Sequence, residues 1–245
     1  MQTIDRWCVV FDFDGTLVDP RFISLYRILK QGIGFAPDDI ARFDALIERY
    51  LELALRGELT QEDEVAWIFS ETAMFLEQAK LTPLLAARLL VAAEFRRGAF
   101  ECLCWLKERG VPVAIVSFGV RPFVNMVLAA HDALDLVDEV YALRLKVDLT
   151  TGLYCGWDES TLVLPSTKGV WSARFAAKHG IRPGRIIGVG DSLSDRNIGG
   201  RKKNRFGFAP DEKRRRGMLE RFGKVAITED FSPVSDWIKE RIGSA

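Results

Sequence analysis

Residues 7–19 read Trp7-Cys8-Val9-Val10-Phe11-Asp12-Phe13-Asp14-Gly15-Thr16-Leu17-Val18-Asp19. The first half is a continuous apolar run, the signature of a strand buried on both faces of a sheet. It ends in two carboxylates one residue apart, followed by Gly15, which permits a tight turn. Two further runs of the same kind lie at 111–117 and 185–190. Shorter strand-like pieces lie at 137–146, 206–209 and 224–227, and Thr151-Gly152 marks a small hairpin. Helices are expected at 99–109, ended by Gly110, at 122–131 and 167–178, and from Ser232-Pro233 onward. Alternating strands and helices with right-handed crossovers imply an α/β fold with a doubly wound, mostly parallel sheet.

Residues 20–96 do not share that alternation. They show helical periodicity throughout: a helix at 21–31 and a second at 39–56 with Ile40, Phe43, Ile47 and Tyr50 on one face. A third, capped by Thr60, carries Val65, Ile68, Thr72, Phe75 and Leu76. Thr82-Pro83 opens a fourth, running to about Arg96. This segment reads as an inserted all-helical cap, with 1–19 and 97–245 forming the core.

Composition bounds the function. The 245 residues contain 34 Lys+Arg and 34 Asp+Glu, so the chain does not coat nucleic acid or an anionic membrane with its whole surface. With 48% hydrophobic residues it builds one sizeable core. The longest uncharged apolar stretch, 111–120, is half of what a spanning helix needs. Acidic Asp5, Asp12 and Asp14 stand where a signal peptide would be basic and then apolar. Cys8, Cys102, Cys104 and Cys155 form no C-x-x-C pair, which disfavours zinc and disulfides. A cytoplasmic location without membrane association is expected.

In doubly wound sheets, ligands bind beyond the carboxyl ends of the strands. Those ends carry Asp12 and Asp14, then Ser117, then Asp191-Ser192-Leu193-Ser194-Asp195. A lone Asp there reads as a turn or cap residue. Carboxylates gathered at one edge, however, repel unless a cation or proton shares the site. Oxygen-only ligands without histidine suit a hard cation, Mg²⁺ first. Lys168 falls in the first turn of a helix, where it opposes the macrodipole. Taken alone it reads as a tolerated surface lysine; taken with the carboxylates it reads as a group aimed at phosphate.

At these residues the chain resembles the haloacid dehalogenase (HAD) superfamily. Its four motifs match Asp12-Phe13-Asp14-Gly15-Thr16-Leu17, Ser117, Lys168 and Gly190-Asp191-Ser192-Leu193-Ser194-Asp195, in order. The resemblance implies a Rossmann-like sheet and identifies the helical insertion as a type 1 cap. It implies that Asp12 attacks phosphorus and that Asp14 serves as general acid and then base. Mg²⁺ would be held by Asp12, Asp191 and the Asp14 backbone carbonyl. Ser117, Phe118 and Lys168 would bind the phosphoryl group, with Gly15, Thr16 and Asp195 supporting. Family dehalogenases and transport ATPases lack an acid at position 14, so Asp14 points to a phosphatase or mutase. A phosphate-binding scaffold without turnover is the non-enzyme alternative, and the intact motif residues argue against it.

The subgroup resembled is the phosphoserine phosphatase-like one, with three departures. Gly15 replaces a Ser, Phe118-Gly119 replaces Gly-Gly, and Arg21 stands where a Glu receives the substrate's amino group. An Arg there suits an anionic or neutral small phosphorylated substrate. The segment around Ser117 also resembles cytosolic pyrimidine nucleotidases, making a nucleotide an alternative substrate. Finally, residues 196–221 hold ten Lys/Arg against three Asp/Glu. They read either as a solvated face or as a site for an anionic partner. Nucleic acid is disfavoured, because Phe206 and Phe208 read as strand core.

Overall fold

The structure is a computed structural model that describes residues 6–19, 32–33, 35–56, 58–78 and 80–243. The opening apolar run forms strand β1 (Cys8–Phe11), every residue of which is buried. Val9 and Phe11 enter one hydrophobic cluster, while Cys8 and Val10 enter a second. That division is the two-faced burial the sequence pattern demands. Strands β2 (Val113–Val120), β3 (Glu139–Val147), β4 (Tyr154–Asp158), β5 (Ile186–Gly190), β6 (Arg205–Phe208) and β7 (Lys224–Ala226) complete the sheet.

The strand order is β4-β3-β2-β1-β5-β6-β7. All neighbours are parallel except β3 and β4, which form the expected hairpin. In register, Val9 faces Val113 on one side and Ile187 on the other. The chain builds outward from β1 through β2 and β3, then returns to β1 and builds outward through β5, β6 and β7. The crevice at the carboxyl ends of β1 and β5 is therefore the topological switch point.

Helices α1 (Pro37–Arg56), α2 (Gln61–Gln78) and α3 (Pro83–Leu90) lie between β1 and β2. Helices α4 (Ala99–Glu108), α5 (Arg121–Ala130), α6 (Lys168–Lys178), α7 (Glu212–Leu219) and α8 (Ser232–Gly243) follow. Thr60 and Asp63 cap α2 reciprocally: the Asp63 N–H donates to Thr60 Oγ1 at 3.1 Å, and the Thr60 N–H to Asp63 Oδ2 at 3.0 Å. Thr82 Oγ1 accepts from the Leu85 N–H at 3.1 Å, with Pro83 at the first helical position. No helix among the described residues is long and apolar enough to cross a membrane.

Three expectations need adjustment. The helix at 21–31 lies outside the described residues, as does Arg21. The fourth helix ends at Leu90 rather than near Arg96. Beyond it the chain straightens, because it pairs with the segment that follows β1. Val18 and Phe95 form an antiparallel bridge, the Asp19 N–H donates to Glu94 O at 2.8 Å, and the Arg96 N–H donates to Leu17 O at 2.7 Å. The second strand, read as 111–117, is displaced to Val113–Val120. Its ladder with β3 breaks after Val116 and resumes at Val120 opposite Leu143. Ser117 thus sits in a bulged stretch inside β2, where bulges re-aim side chains.

Candidate active site

β1 delivers Asp12 to the switch point, and the turn that follows carries Asp14, Gly15 and Thr16. β5 delivers Asp191, and a short 3-10 turn (Leu193–Asp195) brings Asp195 back beneath it. The Asp195 Oδ2 accepts from the N–H groups of Asp191 and Ser192, each at 3.1 Å. Its Oδ1 accepts from Lys168 Nζ at 2.6 Å. Lys168 Nζ donates equally to Asp12 Oδ1, also at 2.6 Å. The other oxygen of Asp12 accepts from Thr16 Oγ1 at 3.2 Å.

Lys168 has no exposed surface, yet it opens helix α6 with its charge against the helix dipole. Asp12 and Asp195 supply the compensation. Burial opposes the ammonium, but these two carboxylates outweigh it and hold its pKa above the ordinary lysine value. Burial pushes Asp12 from 3.8 up to about 7, with repulsion from Asp195 adding to it and Lys168 opposing it. Asp191 is likewise driven well above the ordinary carboxylate range by burial and then by Asp195 and Asp12.

These shifts mark a site with too much negative charge for its single bonded ammonium. Ligand oxygens of Asp12, Asp191 and Asp195 lie within 4.8 Å of one another. Asp195 belongs to that group by distance, but both of its oxygens are already spent on Lys168 and on backbone amides. The Asp191 carboxylate accepts no hydrogen bond among the described residues and stands ready as a ligand. The oxygen-only set and its unbalanced charge fit a hard divalent cation.

Gly15 has φ +73°, and a Cβ there would fall 2.1 Å from Asp191 Oδ2. Only glycine lets the first motif approach the last so closely. Ser117 is buried and accepts from the Gly119 N–H at 3.0 Å, which leaves its own O–H free to donate. Asp14 Oδ2 lies 3.4 Å from where a Cβ on Gly119 would be, so Asp14 and Ser117 border the same space. Phe118 is half-buried, with Lys168 Nζ 5.2 Å from its ring centre. The structure thus brings Asp12, Asp14, Gly15, Thr16, Ser117, Phe118, Lys168, Asp191 and Asp195 together.

Sequence reasoning missed three supports. Arg96, almost fully buried, donates from Nη2 to Gly15 O and from Nε to Thr16 O at 3.2 Å. From Nη1 it reaches Thr228 O at 2.8 Å, and its guanidinium lies 4.1 Å from the Phe208 ring centre. Glu64, a buried carboxylate on α2, accepts from the N–H of Ser166 at 3.2 Å and from its hydroxyl at 2.5 Å. Trp67, also on α2, packs 5.4 Å from Phe118 and stacks on Tyr50 at 5.2 Å. Arg96 and Glu64 stand alone in sequence, without a periodic or motif signal to flag them. Trp67 lies off the apolar face that Val65, Ile68 and Thr72 define on this helix, so periodicity did not flag it either.

Residues 9–199 match the family described as haloacid dehalogenase-like hydrolase. A phosphoserine phosphatase of Halobacterium salinarum is 31% identical over 188 residues, which cover 76% of this chain and 78% of that protein. A phosphoserine phosphatase of Archaeoglobus fulgidus is 29% identical over 193 residues. That match covers 78% of this chain but 49% of the relative, so the chain spans about half of that protein's length. A solved structure of a substrate-bound phosphoserine phosphatase has the same fold, with a TM-score of 0.69 at 20% identity, covering 96% of this chain and 99% of that one. Sequence match and fold agree: the chain belongs to the haloacid dehalogenase-like hydrolases, in their phosphoserine phosphatase-like group, and is a phosphatase.

Proposed function

We propose that the protein is a Mg²⁺-dependent phosphomonoesterase that hydrolyses a small phosphorylated metabolite through an aspartyl-phosphate on Asp12. The observation that carries this reading is the buried Lys168, bonded at once to Asp12 and Asp195, beside the Asp191 carboxylate, which accepts no hydrogen bond among the described residues. Asp12 and Asp191, with the Asp14 main-chain carbonyl, would hold the cation, which when bound supplies positive charge to the transferring phosphoryl oxygens.

The carboxylate of Asp12 forms a bond to phosphorus as the bond to the leaving oxygen breaks. Asp14 gives its proton to that oxygen and then, as carboxylate, takes a proton from the water that cleaves the aspartyl-phosphate. The Ser117 hydroxyl donates to a phosphoryl oxygen, with the backbone at Phe118 beside it. Lys168 balances charge on the nucleophile side, and Asp195 positions it. Residues 1–19 and 97–245 form the catalytic core in this reading, and 20–96 the cap. The pairing of Val18 with Phe95 supports a boundary there. Leu81, Ala86 and Leu90 join the main hydrophobic cluster and tie the cap's last part to the core.

Arg21 would meet an anionic or neutral group of the substrate rather than an ammonium. Asp12→Asn is expected to lower kcat for an aryl phosphate by more than about 10³-fold, since no covalent step remains. EDTA is expected to abolish wild-type turnover. Full activity in either case sinks the proposal. A panel containing phosphoserine and mononucleotides then names the substrate, and a panel without any turnover revives the scaffold reading.

A further inference from the structure

Arg96 lies where the chain returns from the insertion to the core, outside all four motifs. Its side chain is almost fully buried, so its donors must find acceptors inside the protein. Nε and Nη2 grip the Thr16 and Gly15 carbonyls, and Nη1 reaches the Thr228 carbonyl. The main chain joins in: the Arg96 N–H donates to Leu17 O at 2.7 Å. Three successive carbonyls, those of Gly15, Thr16 and Leu17, therefore accept from this one residue. The N–H side of the same turn is held elsewhere. Thr16, Leu17 and Val18 all donate to Phe13 O, at 3.2, 3.0 and 3.1 Å. Phe13 and Arg96 thus fix the turn from its two polar sides.

That turn touches every group assigned to the cation. Thr16 Oγ1 donates to Asp12 Oδ2. The Asp14 carbonyl directly precedes the three gripped ones. Gly15 abuts Asp191 so closely that a Cβ would collide with its carboxylate. Charge follows the same geometry. Burial pulls the Arg96 pKa down, and Asp191 opposes this more than Asp19 or Glu229 does. A planar guanidinium grips two carbonyls at a fixed spacing, which an ammonium cannot reproduce. The Phe208 ring centre, 4.1 Å from its Cζ, holds that plane in place.

We propose that Arg96 is a positioning residue for the divalent cation, holding the Gly15, Thr16 and Leu17 carbonyls so that Asp12, the Asp14 carbonyl and Asp191 face one ion. The inference rests on the Mg²⁺-dependent function proposed above and adds to it a residue from the edge of the insertion. Groups that orient metal ligands commonly matter by about 10–100-fold in affinity. The competing role is a plain staple between the insertion and the core. A staple affects stability and leaves the metal affinity of the folded protein alone.

Mn²⁺ serves as the probe, since it suits the same oxygen ligands, and the free ion is counted by electron paramagnetic resonance at pH 8. Wild type is expected to bind it saturably. R96K keeps the charge and loses the fork, and its dissociation constant for Mn²⁺ should rise at least about tenfold. At saturating Mg²⁺ its kcat and KM for an aryl phosphate should stay within about threefold of wild type, because the reacting groups remain. Wild-type Mn²⁺ affinity in folded R96K, with only a lowered Tm, overturns the proposal. Where R96K does not fold, Phe208→Leu removes the ring against the guanidinium and should weaken Mn²⁺ binding at least about threefold. Unchanged affinity in that variant overturns the proposal equally. A wild-type protein without saturable Mn²⁺ binding sinks the metal-dependent function itself, and this inference with it.

Discussion

A lysine without solvent contact is tolerable only because two carboxylates bracket it. Lys168→Met keeps the approximate volume and removes the charge, leaving Asp12 and Asp195 facing each other in a dry site. The expected cost is about 3–5 kcal/mol of stability, the usual penalty for breaking a buried charge network from one side. The loss should shrink at pH 5, below the raised value of about 7 at Asp12, which is then protonated and leaves less charge stranded. In any fraction that still folds, kcat should drop at least about 100-fold. Chemical denaturation at pH 5 and pH 8 measures the first effect, and equal losses at both would refute the bracketing role. At this scale Asp12, Asp14 and Asp191 were readable because carboxylates gathered at one edge of a sheet need a shared cation or proton, which a lone turn or cap Asp does not. Arg96 was unreadable: it serves backbone carbonyls, and carbonyls leave no trace in side-chain identity.

Elements carry the site through contacts between distant parts of the chain. Helix α2 reaches the segment just before Lys168 through Glu64, whose carboxylate accepts two hydrogen bonds from Ser166. Around it, Ile68 packs against Leu143 and Leu164, extending the same attachment with apolar area. Glu64→Ala strands the Ser166 N–H and is expected to cost about 1–3 kcal/mol in thermal unfolding. It should also raise KM more than it lowers kcat, because it loosens the insertion without touching the reacting atoms. A kcat effect larger than the KM effect would place Glu64 in the chemistry instead.

Element types along the chain followed from periodicity, and so did the parallel alternation. The ends of α3 and β2 did not, because their limits are set by partners far away in sequence. Val18 straightens the chain at Phe95, and Leu143 extends β2 to Val120. The reciprocal Thr60–Asp63 cap, by contrast, is local and so was placed correctly.

For the whole molecule, the crowded carboxylates make stability a function of pH and metal. Asp12 has an ordinary pKa of 3.8 and a folded value near 7, raised by burial and by Asp195. The unfolded chain therefore loses this proton before the folded one does. Its contribution to stability is present below pH 3.8 and is lost as pH rises through 7. A divalent cation binds the ionised form and reverses that loss. The increase in Tm caused by saturating Mg²⁺ should thus grow from pH 5 to pH 8 and level off above. A constant increment across that range would show that Asp12 is already ionised without metal.

The bridge between Val18 and Phe95 has a further consequence for the architecture. It fixes the two ends of the inserted segment side by side, whatever lies between them. Closing a flexible loop costs only about 0.6 kcal/mol more for each doubling of its length. With the closure point clamped by Arg96 on the first-motif carbonyls, the length of the insert becomes nearly free energetically. The junction works as a socket: a longer, shorter or differently folded insert would seat on the same pins, provided that it supplied anew the contacts that Glu64 and Trp67 make with the site.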